Sequence, residues 1–317
     1  MDDDIQMNQN TLMQKKRIKK RLVQGLLFTS PVLIGYLVFV FIPLVFTVFI
    51  SFTDFSIGAA KTKFVGLENY MDMFTGKDIY FWPSVKATMF YVFGSVPISI
   101  VFAFIIANLL NMKIRGRSFF RGIFFMPMVI PLAAGCSIWV WMLQPDFGIV
   151  NKLLDFFHLP TSTWLTSDKT VIVTFIVISL WITGTAIVIF LAGLQQIPDY
   201  LYEAADIDGG TAWHKFTRIT IPMSSPIIFF NLVVGLINAF QTFVQTAVLT
   251  PAANHVIMGQ PNNAGLLYVP YIFTKAFTFS EMGSASASAL ILLLVISSIT
   301  FLVFKLQKYF VYYEGGK

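Results

Sequence analysis

The chain has 317 residues, 56% of them hydrophobic and 12% charged, with a mean hydropathy of +0.73 and a net charge of +6. A soluble domain carries roughly 25% charged residues, so this composition excludes one and indicates a polytopic helical membrane protein. The basic residues cluster beside apolar runs, which argues against nucleic-acid binding, and the single cysteine, Cys136, excludes an intrachain disulfide and a cysteine-rich metal site.

Residues 1–24 form a polar segment. Asp2–Asp4 are expected to be disordered, and Lys15, Lys16, Arg17, Lys19, Lys20 and Arg21 form a basic collar. The apolar run that follows is too long for a signal-peptide core and lacks a small-residue cleavage site, so the first span is expected to stay as an anchor. Span 1 is predicted at 26–52, where Pro31 and Pro43 are tolerable in a membrane helix. Span 2 follows at 84–111, and span 3 at 119–143, bent near Pro127 and Pro131. Span 4 is predicted at 170–194 and span 5 at 223–249, with a polar loop at 195–222 between them. In the loop 250–284 the apolar piece Gly265–Phe277 is too short to cross a bilayer and contains Pro270. Span 6 lies at 285–304, and residues 312–317 form a tail. The predicted fold is all-α and integral to the membrane, with six transmembrane helices in a domain over 25–311.

Six spans put both termini on one side. Fifteen of the 22 Lys and Arg residues fall in the N-terminus, the 112–121 loop, the 195–222 loop and the residues after span 6. The positive-inside rule places those segments, and both termini, in the cytoplasm. No carboxylate, histidine or arginine sits in the middle of a predicted span, which disfavours an ion-coupled carrier. It also leaves a membrane-embedded enzyme without its acids or nucleophile. No G-x-x-x-x-G-K-[ST] is present, so nucleotide hydrolysis is expected on another polypeptide. No catalytic and no metal-ligating residues are predicted; His158, His214 and His255 are far apart on loops.

The 195–222 loop reads as two short helices. Pro198 suits a first helical turn, with Leu201, Ala204, Ala205 and Ile207 expected to face protein and Asp199, Glu203, Asp206 and Asp208 to face water or a basic partner. Gly209-Gly210 stop that helix, and Thr211 caps a second one running through Arg218. By physics alone such a knuckle is a mechanical part, a docking part or an inert connector. Its residues resemble a known family, however. Glu203-Ala204-Ala205, then Gly209, then Ile219-Thr220-Ile221-Pro222 match the E-A-A, three residues, G, nine residues, I-x-L-P pattern of permease subunits of binding-protein-dependent ABC importers, with Ile221 in place of Leu. Other stretches are similar to the carbohydrate-importing branch, among them Gly148-Ile149-Val150-Asn151 and Asn238-Ala239-Phe240-Gln241-Thr242-Phe243.

The resemblance implies the type I ABC importer permease fold in a bacterial or archaeal plasma membrane, multi-pass and surrounded by lipid. It implies that the loop is a coupling helix seated in a cytoplasmic ATPase, with Glu203, Ala204, Ala205, Gly209, Ile219 and Pro222 as the coupling residues. The implied partners are a second, similar permease (an unlike one in the sugar branch), two ATPase subunits and an extracytoplasmic solute-binding protein. The chain itself needs no cofactor; ATP and Mg sit on the ATPase.

For the cargo, span 5 offers Asn231, Asn238, Gln241, Thr242 and Gln245 on one helical face by their 7, 3, 4 and 3 spacing. Uncharged amides and hydroxyls match the hydroxyls of a neutral sugar. Trp181 and Phe240 are candidates to stack on it, and Thr183 and Thr185 to widen the pocket. The predicted path residues are therefore Trp181, Thr185, Asn238, Phe240, Gln241, Thr242 and Gln245. Such residues also bond neighbouring helices, so packing and cargo contact both stay open. The expected cargo is an oligosaccharide, the alternative being glycerol phosphate or a polyamine.

Overall fold

A computed structural model describes residues 2–59, 61–112, 115–252 and 257–312. Lys113, His255, the tail beyond Tyr312 and the side chains of Lys15 and Lys16 lie outside the described residues. The chain begins in helix α1 (Asp2–Tyr36), so the acidic start expected to be disordered is helical. A π-helical turn at Leu37–Phe41 leads into α2 (Ile42–Ile50). Its cause is local. Pro43 has no N–H and its ring pushes away the carbonyl four residues back, so the ladder slips and the Ile42 N–H reaches the Leu37 carbonyl instead.

Next come α3 (Glu68–Phe74) in the first long loop and α4 (Phe81–Asn111), the central span. Span 3 is split into α5 (Arg117–Val129) and α6 (Leu132–Met142), set at 104° to one another. The break falls at Ile130-Pro131, both extended, because a residue before proline avoids the helical region. Pro127 sits inside α5, and the break itself falls at Pro131. A short helix α7 (Ile149–Phe156) follows in the second long loop. Span 4 is split into α8 (Val171–Trp181) and α9 (Gly184–Leu194), bent by 46°. The knuckle is α10 (Asp199–Ile207) and α11 (Ala212–Lys215). Rather than ending before span 5, α11 runs through a second π turn, Phe216–Thr220, into α12 (Ile221–Phe240). This span breaks at Gln241–Phe243 before α13 (Val244–Leu249), where one straight helix to 249 was predicted. The third long loop holds α14 (Tyr268–Phe273), and α15 (Met282–Phe310) ends the described chain.

Four helical stretches are long and apolar enough to cross a membrane: Lys19–Ile50, Phe81–Asn111, Ala212–Phe240 and Met282–Phe310. Counting each bent pair as one span makes six. The central helix α4 buries Ala87, Tyr91, Val92, Val96, Ala103, Phe104, Ala107 and Leu110, the three- and four-residue spacing of one helical stripe. Lipid is as apolar as the core, so burial itself gives these helices little drive to associate and close contact must supply it. Ala103 and Ala107, both wholly buried, let α9 come close enough for Phe190 to meet Phe104 edge-on at 5.3 Å. The Ser-Ala stretch of α15 is used for close packing: Ala285, Ala287 and Ser288 are buried, and a Cβ at Gly283 would run into the Thr53 carbonyl.

The end of α15 lies beside the start of α12, the Tyr312 N–H donating to Ser225 Oγ at 2.8 Å, so it shares the knuckle end of the bundle. The opposite end is tied by a charged clamp. Asp78 Oδ2 accepts from Lys275 Nζ at 2.9 Å and from Tyr271 Oη at 2.7 Å, and Lys275 Nζ also meets Glu281 Oε2 at 2.6 Å. Asn151, buried, joins the second loop to itself: its Oδ1 accepts from Trp164 Nε1 at 2.7 Å and its Nδ2 donates to the Ser162 and Pro145 carbonyls.

Candidate functional site: a cavity where helices break, and the knuckle

The three breaks lie around one cavity of about 500 Å³. Leu132 lines it just past the first break, Ile182 at the second, and Gln241, Thr242 and Phe243 at the third. The volume falls within the roughly 300–1,000 Å³ typical of ligand pockets. Broken membrane helices are tolerated where neighbours or hydroxyls take up the freed backbone groups. Here threonines do so: Thr183 Oγ1 donates to the Leu180 carbonyl at 2.7 Å and Thr242 Oγ1 to the Asn238 carbonyl at 3.3 Å.

Asn231, Asn238, Gln241, Thr242 and Gln245 all line the cavity. Only Asn231 and Asn238 share a helical face, because the helix ends at Phe240; the break then swings the later residues onto the same space. Asn238 and Gln241 are exposed, so the cavity reaches the surface of the chain through them. The other predicted path residues are not brought there. Phe240 is buried in the core formed by α4, α8 and α12. Trp181 packs against Gly135 and stands edge-on to Trp139 at 6.2 Å. Thr185 is exposed outside the cavity, and Thr183 is spent on the break.

The sequence reading missed the opposite wall. Tyr91, Ser95 and Ser99 of α4 line the cavity with Ser179 of α8. Tyr91 Oη donates to Gln245 Oε1 at 2.7 Å and fixes the amide. Ser95 is 3% exposed and lies beside Tyr91, yet its hydroxyl has no hydrogen-bond partner of good geometry among the described residues. The signal was present as a 4, 4 spacing of polar residues in an apolar run. Among the described residues, no charged side chain lines the cavity.

The knuckle is built as a helix stop and restart. The Gly209 N–H donates to the Asp206 carbonyl at 3.1 Å and the Gly210 N–H to the Ala205 carbonyl at 2.7 Å, the paired bonds of a Schellman motif. Gly209 has φ +75°, which any other L-residue adopts at a cost of roughly 1–2 kcal/mol. Thr211 Oγ1 accepts from the His214 N–H at 3.2 Å, the predicted cap. Lys215 Nζ bonds Asp206 Oδ1 at 2.7 Å, and Tyr202 Oη lies 3.0 Å from Thr220 Oγ1, so the two arms are cross-tied. Leu201, Tyr202 and Phe216 pack on the core of α4 and α9. Ile207, expected to face protein, is instead 87% exposed, Trp213 is 72% exposed, and Ala204 also faces outward. Glu203 is exposed beside them. The knuckle thus presents an exposed apolar and acidic tip on a braced base.

A membrane protein whose spans break around an uncharged polar cavity has the build of a transport subunit. The chain belongs to the family of binding-protein-dependent transport system inner membrane components, whose pattern matches residues 95–311. It is 38% identical to the probable ABC transporter permease protein YesP of Bacillus subtilis over 305 residues, 96% of each chain. It is 32% identical to the multiple sugar-binding transport system permease protein MsmF of Streptococcus mutans, covering 90% of this chain and 96% of that one. A solved bacterial alginate ABC transporter, in complex with an alginate pentasaccharide-bound periplasmic protein, contains a chain of the same fold. Its TM-score is 0.76 at 21% identity, over 93% of this chain and 96% of that one.

Proposed function

We propose that this chain is one of two permease subunits of an ATP-driven importer, forming half of the path for a neutral carbohydrate, best an oligosaccharide. The observation that carries the reading is the cavity: amides and hydroxyls from four helices, one buried hydroxyl left unbonded, and no charge. A neutral sugar satisfies such groups, whereas glycerol phosphate or a polyamine would leave a charge without a counter-charge. Asn238 and Gln241 open the cavity to the surface, where a second, similar permease would close it. The knuckle would dock on one of two ATPase subunits through Ile207, Trp213 and Glu203, with both termini on that cytoplasmic side. A solute-binding protein would deliver the sugar at the opposite end. ATP-driven closure of the ATPases would swing the knuckles and switch the cavity from outward- to inward-open. The chain performs no covalent chemistry in this scheme.

The double variant Asn238→Leu, Gln241→Leu tests the path. Two lost hydrogen bonds at about 1 kcal/mol each give a tenfold or greater fall in sugar uptake by the reconstituted transporter. ATPase association should be unchanged. Uptake equal to that of the parent would return both side chains to a packing role.

A further inference from the structure

The groove between α9 and α12 does not end at the cavity just described. One helical turn closer to the knuckle it opens again into a space of about 550 Å³, walled in part by Gly193, Ile227 and Phe230. Ala186 and Asn231 line the first cavity; Ile189 and Ile227, three and four residues away on the same two helices, line the second. The two spaces are consecutive along one seam.

The second space carries the same chemistry as the first. Ser224 lines it, is 2% exposed, and its hydroxyl makes no hydrogen bond. Among the described residues, Ser95 and Ser224 are the buried serines left in that state, and one lines each cavity. Serine in a membrane helix ordinarily closes onto a carbonyl one turn back, as Ser225 does on Pro222 at 2.7 Å. An unbonded buried hydroxyl is unfavourable and calls for a partner. Gln196 adds a side-chain amide at the rim. Tyr312 brings an aromatic ring from the end of α15, held by its N–H on Ser225 Oγ, 87 residues distant in the chain. A hydroxyl, an amide and an aromatic face without charge are groups that bind a neutral sugar.

We infer that this space is a second carbohydrate subsite, an exit station between the broken-helix cavity and the knuckle end. Ser224 and Gln196 bond sugar hydroxyls there, and Tyr312 forms the inner wall. The inference rests on the transport reading above, and its test separates the two. Ser224→Cys and Asn238→Cys are made singly in the complete reconstituted transporter, with the buried Cys136 unchanged. Each is alkylated by a neutral maleimide with and without a neutral oligosaccharide. The probe is chosen from maltotriose, arabinotriose and trehalose as the one that stimulates ATP turnover. The expected result is slowing of alkylation by fivefold or more at both positions. Protection at Asn238→Cys with none at Ser224→Cys overturns the exit subsite and leaves the carbohydrate path standing; protection at neither overturns both. Alkylation of Ser224→Cys that responds to lipid chain length and not to sugar assigns the space to lipid and also overturns the inference. A second variant, Ser224→Trp, fills the space: uptake should fall tenfold or more while sugar still protects Asn238→Cys. Uptake equal to that of the parent would sink the proposal even if Ser224→Cys proved poorly folded.

Discussion

Glu203 stands exposed on α10 and forms no ion pair with any described residue. Reversing its charge therefore disturbs nothing within the chain and is felt only by a partner. Glu203→Lys should leave the amount of protein in the membrane unchanged and cut sugar uptake tenfold or more, with reduced co-purification of the ATPase; parental uptake would remove Glu203 from the docking surface. The residues of the knuckle were legible because capping and helix stops are local chemistry: Pro198, Gly209 and Thr211 each act within four positions. Its exposed face was less so. Ile207 follows the apolar rule for an inward position, yet it points to solvent, and nothing local in the sequence separates an apolar residue packed within the chain from one left on its surface. In the cavity, Asn238 and Gln245 could be picked out as amides in an apolar run and Tyr91 by its 4, 4 spacing with Ser95 and Ser99, but nothing local gave the role of Tyr91. Its role depends on a hydrogen bond to a residue 154 positions away.

At the level of the helix, the chain's punctuation is of two kinds. Proline marks some of it: the π turns before Ile42-Pro43 and Ile221-Pro222 and the break at Ile130-Pro131. Those sites were visible as proline, though not as π turns, because sequence shows the missing N–H and not how the ladder repairs itself. The breaks at Ile182-Thr183 and Gln241–Phe243 contain no proline and were missed; a threonine hydroxyl competing for a carbonyl is too common a feature to flag one. The π turn at Phe216–Thr220 sets the angle between knuckle and span, since each residue of register turns a helix by about 100°. In Pro222→Ala the missing donor is restored and the α-ladder can close. The knuckle should then rotate relative to α12. Cysteine cross-linking between the knuckle and the ATPase should change partner positions, and uptake should fall at least fivefold at normal expression. An unchanged cross-linking pattern would make the π turn incidental.

The whole molecule is held together at the end away from the knuckle by the Asp78–Lys275–Glu281 clamp. Burial works against the Lys275 ammonium, but the hydrogen bonds and charges of Glu281 and Asp78 outweigh it and raise its pKa above the ordinary 10.5. A raised pKa means the charged clamp is fully in place below about 10.5 and is lost as pH rises through the folded-state value. Burial also raises the Tyr271 hydroxyl, so its contribution falls in the same alkaline direction. Thermal stability in detergent should therefore be steady across neutral pH and drop above about pH 10.5. Lys275→Met, which strands a buried carboxylate, should lower stability by roughly 3–5 kcal/mol at neutral pH. A melting temperature unchanged by Lys275→Met would show the clamp to be idle. The span count and the membrane class were legible from hydropathy alone, because each span is a local apolar run. The clamp was not, since Asp78 and Tyr271 are separated by 193 positions and hydropathy does not pair loops. That separation also governs biogenesis. At about 5–20 residues per second, a ribosome needs roughly 10–40 seconds after making Asp78 before its partners emerge. Over that interval the nascent subunit holds its early spans in the bilayer with the acid unmatched. The last two hundred residues thus close the fold from behind, and a chain cut short before Tyr271 would present an unfinished end, opposite the knuckle, to the proteases that survey new membrane proteins.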